Sequence, residues 1–312
     1  MAQSSLSVLF IAGSGRSGST LLDRLLGNLP ETLSLGEVGN FGHFCLEPDD
    51  RPCSCGKPYN ECCLWAPVTL VFKQTHPNVT PDSWQKLKSK TQGVRNLPFL
   101  LFPSLRSHPF QNSLEELTRL FETIFKSAAE QTHSHRIIDS SKGIPHALML
   151  RESPRHHVQV LHLVRDPRAV AYSWMRSKQD PGQNKLMPKR SLIHACLRWW
   201  RANLIVHLST GVLPTLRIRY EDLCLKSSAT FQQISQFANV SEKHKSWPVS
   251  ENKTSHLMGG NPAKYKPLSF PIKVDEAWIE ELDFFAKITI TVLCLPLLLF
   301  YRYPIFPVKT SV

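Results

Sequence analysis

The 312-residue sequence lacks an apolar run long enough to cross a membrane as a helix. The one candidate, residues 288–301, has fourteen uncharged residues that include two threonines and Pro296, whereas a helical span needs about 20 apolar residues. It predicts a buried C-terminal helix kinked at Pro296, with a membrane anchor as the alternative. A secretory signal is also lacking, because the apolar run at 6–12 has no basic region before it. These absences predict a cytoplasmic protein.

The chain contains only eight cysteines, which is too few for a disulfide scaffold in a chain of this length. Five of the eight fall between positions 45 and 63, in the order Cys45, Cys53, Cys55, Cys62 and Cys63. Structural zinc usually shows two Cys-x2–4-Cys pairs, and this spacing fits that pattern poorly. Zinc, one or two disulfides and free thiols all stay open, and a cytosolic location favours thiols.

Acidic residues are outnumbered, with 25 Asp and Glu against 37 Lys and Arg, which gives a net charge of +12. An excess of this size favours a polyanionic partner such as a nucleotide, a sulfated or phosphorylated substrate, or a nucleic acid. The content of 42% hydrophobic and 20% charged residues is ordinary for a globular chain. It excludes a disordered chain, a collagen-like chain and a coiled-coil rod.

Apolar strands and amphipathic helices alternate along the chain. We predict strands at 8–12, 136–139, 158–164 and 215–219, and helices at 20–28, 113–131, 167–176, 191–208, 227–237 and 275–300. This alternation is typical of an α/β fold with a mainly parallel sheet. Residues 30–42 resemble a loop. Residues 41–112 lack periodicity, and we interpret them as a Cys- and Pro-rich insertion or lid within a single domain over 1–312.

A glycine- and serine-rich turn at 13–20 joins the first strand to the first helix. Backbone N–H groups and the helix dipole make such a turn an anion cradle. Arg16, Ser19 and Thr20 add charge and hydroxyl donors. The alternative is an ordinary tight turn, in which glycine serves only the backbone.

Two common nucleotide motifs fit this turn badly. No lysine follows Gly18, as the nucleoside-triphosphatase loop requires. Gly13, Gly15 and Gly18 match the dinucleotide pattern, but no acidic residue is expected to end a second strand, because 30–42 is predicted as a loop.

Three segments together resemble the sulfotransferases that use 3′-phosphoadenosine 5′-phosphosulfate (PAPS). Residues 9–22 are similar to the family's 5′-phosphosulfate loop, 161–173 to its 3′-phosphate motif and 217–223 to its Arg-Tyr-Glu-Asp-Leu strand end. The similarity extends through 259–261 and is greatest to the branch with tyrosylprotein and bacterial-type enzymes. It implies a P-loop-like three-layer fold, with the central sheet flanked by helices.

The resemblance also implies a donor site. The residues expected to bind PAPS are Gly15, Arg16, Ser17, Gly18, Ser19, Thr20, Arg165, Ser173, Tyr220, Gly260, Asn261 and Lys264. Arg165 and Ser173 would hold the 3′-phosphate. The structural alternatives are a surface arginine, a core aromatic at Tyr220 and a plain turn at 256–264. Arg168 is expected to face solvent.

Glu37 matches the Gly-Glu that supplies the general base in the related branch, because the acceptor must lose a proton during transfer. His43 is the second candidate, and a loop carboxylate is the structural alternative. Lys142, by resemblance, would act with Arg16 on the charge that builds on the bridging oxygen. The alternative for Lys142 is a surface lysine. No metal is required for this chemistry.

The predicted function is transfer of a sulfuryl group from PAPS to a hydroxyl, or less favourably an amine. The alternatives are a magnesium-dependent small-molecule kinase and a non-enzymatic nucleotide or polyanion binder. The acceptor could be a small molecule, a carbohydrate, a lipid or a peptide, and no nucleic-acid or membrane partner is expected. Since the cysteine cluster lies outside both phosphate motifs, we expect it to be dispensable for nucleotide binding.

Overall fold

The computed structural model describes residues 5–47, 51–177, 179–180, 185–186, 189–240, 255–268, 270–307 and 309. Its strands are β1 (Leu6–Gly13), β2 (Thr32–Gly36), β3 (Arg136–Lys142), β4 (His156–Val164), β5 (Gln179–Asp180), β6 (Lys185–Leu186) and β7 (Thr215–Arg219). Five of them form one parallel sheet in the order β2-β3-β1-β4-β7, and β5 pairs with β6 in a small antiparallel ribbon. The predicted α/β class with a mainly parallel sheet is confirmed.

Twelve α-helices lie in the described residues. They are α1 (Ser19–Gly27), α2 (Trp65–Thr75), α3 (Pro81–Thr91), α4 (Leu97–Leu101), α5 (His108–Thr132), α6 (Ile144–Leu150), α7 (Pro167–Met175), α8 (Leu192–Ser209), α9 (Tyr220–Leu225), α10 (Ser227–Phe237), α11 (Ala277–Glu281) and α12 (Phe284–Phe300).

The central strand β1 shows why the fold has three layers. Its side chains alternate between the two faces of the sheet, and both faces are buried. Val8 and Phe10 pack into the core shared with α5, whereas Leu9 and Ile11 pack against the leucines of α1. A strand buried on both sides appears in the sequence as a continuous apolar run, which is the pattern from which it was predicted.

The segment predicted as a loop at 30–42 contains β2, so that prediction was wrong. The strand has only five residues and is held by parallel pairing with β3, about a hundred positions away. Glu37 therefore follows a strand directly, which removes the stated argument against a dinucleotide fold. The strand order excludes that fold instead, because β3 lies between β1 and β2, which are neighbours in the dinucleotide-binding sheet.

Residues 41–112, in which no periodicity was visible, form the helices α2, α3 and α4. Their packing depends on a cluster of aromatic rings, in which Phe41 contacts Trp65, Phe72 and Trp84. A cluster of this kind has no regular spacing along the chain. The next helix, α5, begins five residues before its predicted start and is capped by the side chain of Ser107.

The C-terminal helix α12 begins at Phe284, nine residues later than predicted, and contains Pro296. Only one face of α12 is buried, so the prediction of a buried helix is correct for that face alone. Cys294 and Leu298 are fully buried in the core with α7 and α8, whereas Phe285 is 75% exposed. Among the helices of the described residues, none has the length and apolarity to cross a bilayer.

Candidate functional site

A cleft of about 1480 Å³ opens where the carboxyl ends of the five parallel strands meet. Thirteen of the fourteen predicted site residues line it: Gly15, Arg16, Gly18, Ser19, Thr20, Glu37, Lys142, Arg165, Ser173, Tyr220, Gly260, Asn261 and Lys264. The fourteenth, Ser17, is buried within the glycine-rich turn. Ligands of open α/β sheets bind at this edge, so the fold brings the predicted residues to the expected place.

The glycine-rich turn needs its glycines for close approach. Gly18 has φ 93° at the start of α1, and a β-carbon there would lie 2.5 Å from the ring of Tyr220. At Gly13, φ is 136° and a β-carbon would lie 2.3 Å from the carbonyl oxygen of Leu163. No side chain can be added at either position without moving a strand or a ring. The hydroxyl of Ser17 is buried with no hydrogen-bond partner in the described part of the chain.

Lys142 and Glu37 are in direct contact. The Lys142 ammonium donates to the Glu37 carboxylate, and the two side chains are 20% and 24% exposed. Glu37 itself is fixed by its backbone, since its N–H donates to the carbonyl of Met258 at 2.7 Å. The predicted base and the predicted cation are thus adjacent, and Lys142 is not a surface lysine.

A polar network fixes the backbone that carries Lys142, which has a left-handed φ of 70°. The Asp139 carboxylate accepts from the backbone N–H and hydroxyl of Ser141, at 2.8 and 2.5 Å. Its other oxygen lies 3.0 Å from Nε2 of His146. A non-glycine residue in this conformation persists only where its surroundings hold it there, and these buried contacts supply that restraint.

Beneath this network, Asp23 of α1 links the helix to the sheet. The hydroxyls of Ser34 and Ser140 both donate to its carboxylate. Burial raises the pKa of Asp23 to about 7, although these two hydrogen bonds oppose the shift. Asp23 is therefore an internal support of α1 that titrates near neutral pH.

Arg165 forms a buried wall of the cleft, with its side chain 7% exposed. It donates to the carbonyls of Arg16 at 3.2 Å and Asp275 at 2.9 Å, and its guanidinium lies 4.4 Å from the ring centre of Tyr220. Its Nε is buried without a hydrogen-bond partner among the described residues. Burial also raises the pKa of Tyr220. Arg165 is therefore held rigidly, with one donor unused.

Arg168 does not face solvent, and that prediction was wrong. Its side chain is fully buried, and it donates from Nε and Nη2 to the carboxylate of Asp166 at 2.9 and 2.7 Å. The remaining donors reach the carbonyls of Pro304 and Ile305. Asp166 also caps α7, because its side chain accepts from the backbone N–H of Arg168. The pair fastens the C-terminal segment to the start of that helix.

Sequence reasoning missed a second set of basic residues on the cleft. The guanidiniums of Arg190 and Arg198, which were not predicted, lie 5.4 and 5.5 Å from the ring centre of Trp174, and that of the predicted Arg16 lies 4.8 Å from it. Arg198 and Arg201 are three residues apart on α8, a spacing that places both on one face and that could have revealed them. Burial lowers the pKa of Arg198, and its arginine neighbours add to the shift.

The charge of the cleft is strongly one-sided. Its basic residues are Arg16, Arg24, Arg51, Lys142, Arg165, Arg190, Arg198, Arg201, Lys264, Lys266 and Lys273. Against these eleven stand two carboxylates, Glu37 and Asp275. Such a cleft attracts ligands that carry several negative charges.

The loop at 255–264 closes the cleft from the other side. The backbone N–H of Asn261 donates to the hydroxyl of Thr20 at 3.2 Å, and that of Gly259 donates to the hydroxyl of Tyr59 at 3.1 Å. Gly260 has φ 86°, in the region that favours glycine. The loop therefore connects the glycine-rich turn to the 41–112 segment.

Comparisons with known proteins agree with this architecture. The sulfotransferase family profile matches residues 9–244. The sulfotransferase domain of the Synechococcus PCC 7002 olefin synthase is 19% identical over 97% of this chain and 96% of its own, with a TM-score of 0.54. The sulfotransferase domain from the curacin biosynthetic pathway is 17% identical over 96% of this chain and 100% of its own, with a TM-score of 0.51.

A comparison with curated protein sequences gave no match. Because the two solved structures are less than 20% identical to this chain, they show only that the fold is shared. The family profile extends from β1 through residues 161–173 and past β7. The chain belongs to the sulfotransferase family.

Proposed function

We propose that the protein transfers a sulfuryl group from PAPS to a hydroxyl group, with an amine as the less favoured acceptor. The observation that carries the proposal is the convergence of the glycine-rich turn, Arg165 with Ser173, and the 259–264 loop on one cleft. That cleft has eleven basic residues and two carboxylates. A donor with a phosphosulfate at one end and a 3′-phosphate at the other matches such an extended basic surface.

The residues present fit this donor. The Arg165 Nε, on a residue that lines the cleft, is a buried donor without a partner among the described residues, and an unpaired buried donor is costly unless a ligand satisfies it. The amides of the turn would hold the phosphosulfate. Arg165 and Ser173 would hold the 3′-phosphate, since arginine suits bidentate contact with phosphate.

In the transfer step, the acceptor oxygen attacks sulfur in line as the bond from sulfur to the bridging phosphate oxygen breaks. The proton of the acceptor passes to Glu37, and the electron pair of the broken bond stays on the phosphate. Lys142 and Arg16 would stabilise that developing charge. Lys142 contacts Glu37. Donor binding would draw the ammonium to the bridging oxygen and leave the carboxylate able to accept a proton.

The 41–112 segment contributes the remaining wall, through His43, Phe44, Arg51, Tyr59 and Val94. We propose that this wall selects the acceptor, whether a small molecule, a carbohydrate, a lipid or a peptide. The proposed chemical step needs no metal ion, because side chains supply the positive charge. The eight cysteines form no disulfide, as is usual in a reducing compartment, and we propose the cytoplasm as the location.

Calorimetric titration with 3′-phosphoadenosine 5′-phosphate and AMP, without metal, tests the proposal. We expect the 3′-phosphate to tighten binding, and we expect Arg165→Ala to weaken it tenfold or more. Loss of a charge-assisted contact costs about 1.5–3 kcal/mol. The control is Arg119→Ala, an exposed arginine on α5. Equal affinity for both nucleotides, or tighter binding of ATP with magnesium, would contradict the assignment and favour the kinase alternative.

A further inference from the structure

Three cysteines and one histidine converge beside the cleft. The sulfurs of Cys53, Cys55 and Cys62 and a ring nitrogen of His256 all lie within 4.8 Å of one another. Cys62 Sγ is 3.7 Å from both other sulfurs and 3.2 Å from Nδ1 of His256. Four soft or borderline donors facing one point are typical of a closed metal site.

The two sulfur–sulfur distances of 3.7 Å from Cys62 match those expected around one zinc ion. With Zn–S bonds of about 2.3 Å, two sulfurs on one ion lie about 3.8 Å apart. A disulfide would require about 2.04 Å between one pair of sulfurs. Cys62 is equally distant from two sulfurs, which is the arrangement of ligands that share an ion rather than of one bonded pair.

Backbone amides stabilise the sulfurs of the first two cysteines. The N–H of Cys55 donates to the Cys53 sulfur and the N–H of Lys57 to the Cys55 sulfur. Gly56 makes this turn possible with φ 88°, and its own N–H donates to the Cys53 carbonyl at 2.9 Å. Hydrogen bonds of this kind fix the orientation of side chains that bind a metal ion.

The third cysteine and the histidine are held in the same way. The N–H groups of Leu64 and Trp65 hydrogen-bond to the Cys62 sulfur. The indole N–H of Trp65 donates to the His256 carbonyl at 2.7 Å, which fixes the histidine backbone. The other ring nitrogen of His256 lies 3.7 Å from the sulfur of Cys63, a partner beyond the ligand set.

We propose that Cys53, Cys55, Cys62 and His256 bind one zinc ion in a structural role. Four protein ligands leave no open position for a substrate, unlike a catalytic zinc site. None of the four residues lines the cleft, so the ion would stand behind its wall and take no part in sulfuryl transfer.

The site would fasten the cysteine-containing segment to the 255–264 loop. Ser54 already joins the two, because its hydroxyl donates to the Ser255 carbonyl at 2.6 Å and accepts from the Leu257 N–H at 2.7 Å. On the proposed function, this loop contacts the donor through Gly260 and Asn261. Zinc would therefore support nucleotide binding, contrary to the expectation that the cysteine cluster is dispensable for it.

Metal analysis of the full-length protein, produced with added zinc and purified without chelator, tests the site. We expect about one zinc per chain, unchanged in Cys45→Ser and lost in Cys62→Ser and in His256→Ala. Two results would overturn the proposal. One is wild-type protein that contains less than about a tenth of a zinc ion per chain, and the other is zinc retained in the double variant Cys53→Ser/Cys62→Ser. The proposal would also be overturned if alkylation of the thiols without reductant showed that Cys62 is in a disulfide.

Cobalt substitution provides a readout that does not depend on the folding of a variant. Wild-type protein loaded with Co²⁺ should show thiolate-to-cobalt charge transfer and the visible bands of tetrahedral coordination, and Cys63→Ser should keep them. Absent charge transfer, or its loss in Cys63→Ser, would show that the ligand set is wrong.

Calorimetry separates the ion from the proposed function. Zinc removal should weaken binding of 3′-phosphoadenosine 5′-phosphate at least tenfold, and added zinc should restore it. Zinc-loaded protein that binds no nucleotide would contradict the proposed function alone. Unchanged affinity after zinc removal would contradict the support of the loop.

Discussion

Replacing Glu37 by glutamine separates the two roles that its carboxylate would have. Glutamine keeps the size and polarity of the side chain but cannot accept a proton. General base catalysis contributes about 10²–10⁴ in rate, so kcat should fall by that factor. The acidic limb of the pH profile of kcat, which reports deprotonation of the base, should disappear.

The same substitution should affect nucleotide binding in the opposite direction. In the wild type, Glu37 contacts Lys142, and both side chains are about a quarter exposed or less. An ion pair with this exposure contributes about 0.2–1 kcal/mol. Glutamine releases Lys142 from it, so 3′-phosphoadenosine 5′-phosphate should bind with unchanged affinity or up to about fivefold more tightly. Slower turnover combined with equal or tighter nucleotide binding is the expected signature.

The assay is labelled sulfuryl transfer from PAPS to an acceptor found by screening phenols, sugars and peptides, together with calorimetry. The matched control is His43→Gln, the second candidate for the base, which also lines the cleft. Turnover within about threefold of wild type in Glu37→Gln, together with a large loss in His43→Gln, would refute the reasoning and assign the proton transfer to His43.

Three further predictions concern the framework of the site. Gly18→Ala should abolish nucleotide binding in calorimetry, because its β-carbon would lie 2.5 Å from an aromatic ring, whereas Gly143→Ala, with open space around it, should bind normally. Arg168→Met leaves the buried Asp166 carboxylate unpaired and should lower the free energy of unfolding in urea by about 3–5 kcal/mol; a loss under 1 kcal/mol would contradict the buried pair. Asp23 has a pKa of about 7 when folded, against an ordinary value of 3.8, so wild-type stability falls as pH rises through that window. Asp23→Asn should therefore gain in melting temperature relative to wild type between pH 4 and pH 8, and a difference independent of pH would contradict the shift.

Local geometry explains why part of the site could be predicted from sequence. An anion cradle needs glycines and a helix start in one short stretch, so residues 13–20 carry it visibly. Arg165 lies at a strand end just before an Asp-Pro helix start, and a strand end of a parallel sheet faces the ligand edge. Both features depend on neighbours within a few positions of the chain.

Long-range contacts explain the errors. The strand β2 has five residues with little apolar character, and its stability comes from pairing with β3. Arg168 is buried because Asp166 and two carbonyls satisfy its charge, which its charge alone does not predict. The metal-binding pattern was incomplete in the sequence because His256 lies 194 positions after Cys62.

The contacts between 52–65 and the 255–264 loop also determine the order in which the protein can be assembled during synthesis. All five strands of the sheet have been synthesised once Arg219 has been made, before any residue of the 255–264 loop. The loop that closes the cleft follows at least 36 residues later, since His256 and Gly259 come after β7. Closing so long a segment costs little more than closing a short one, because each doubling of loop length adds only about 0.6 kcal/mol. The cleft is therefore open on this side until residues 255–264 have been made, and it is complete only when this loop docks against Thr20 and Tyr59.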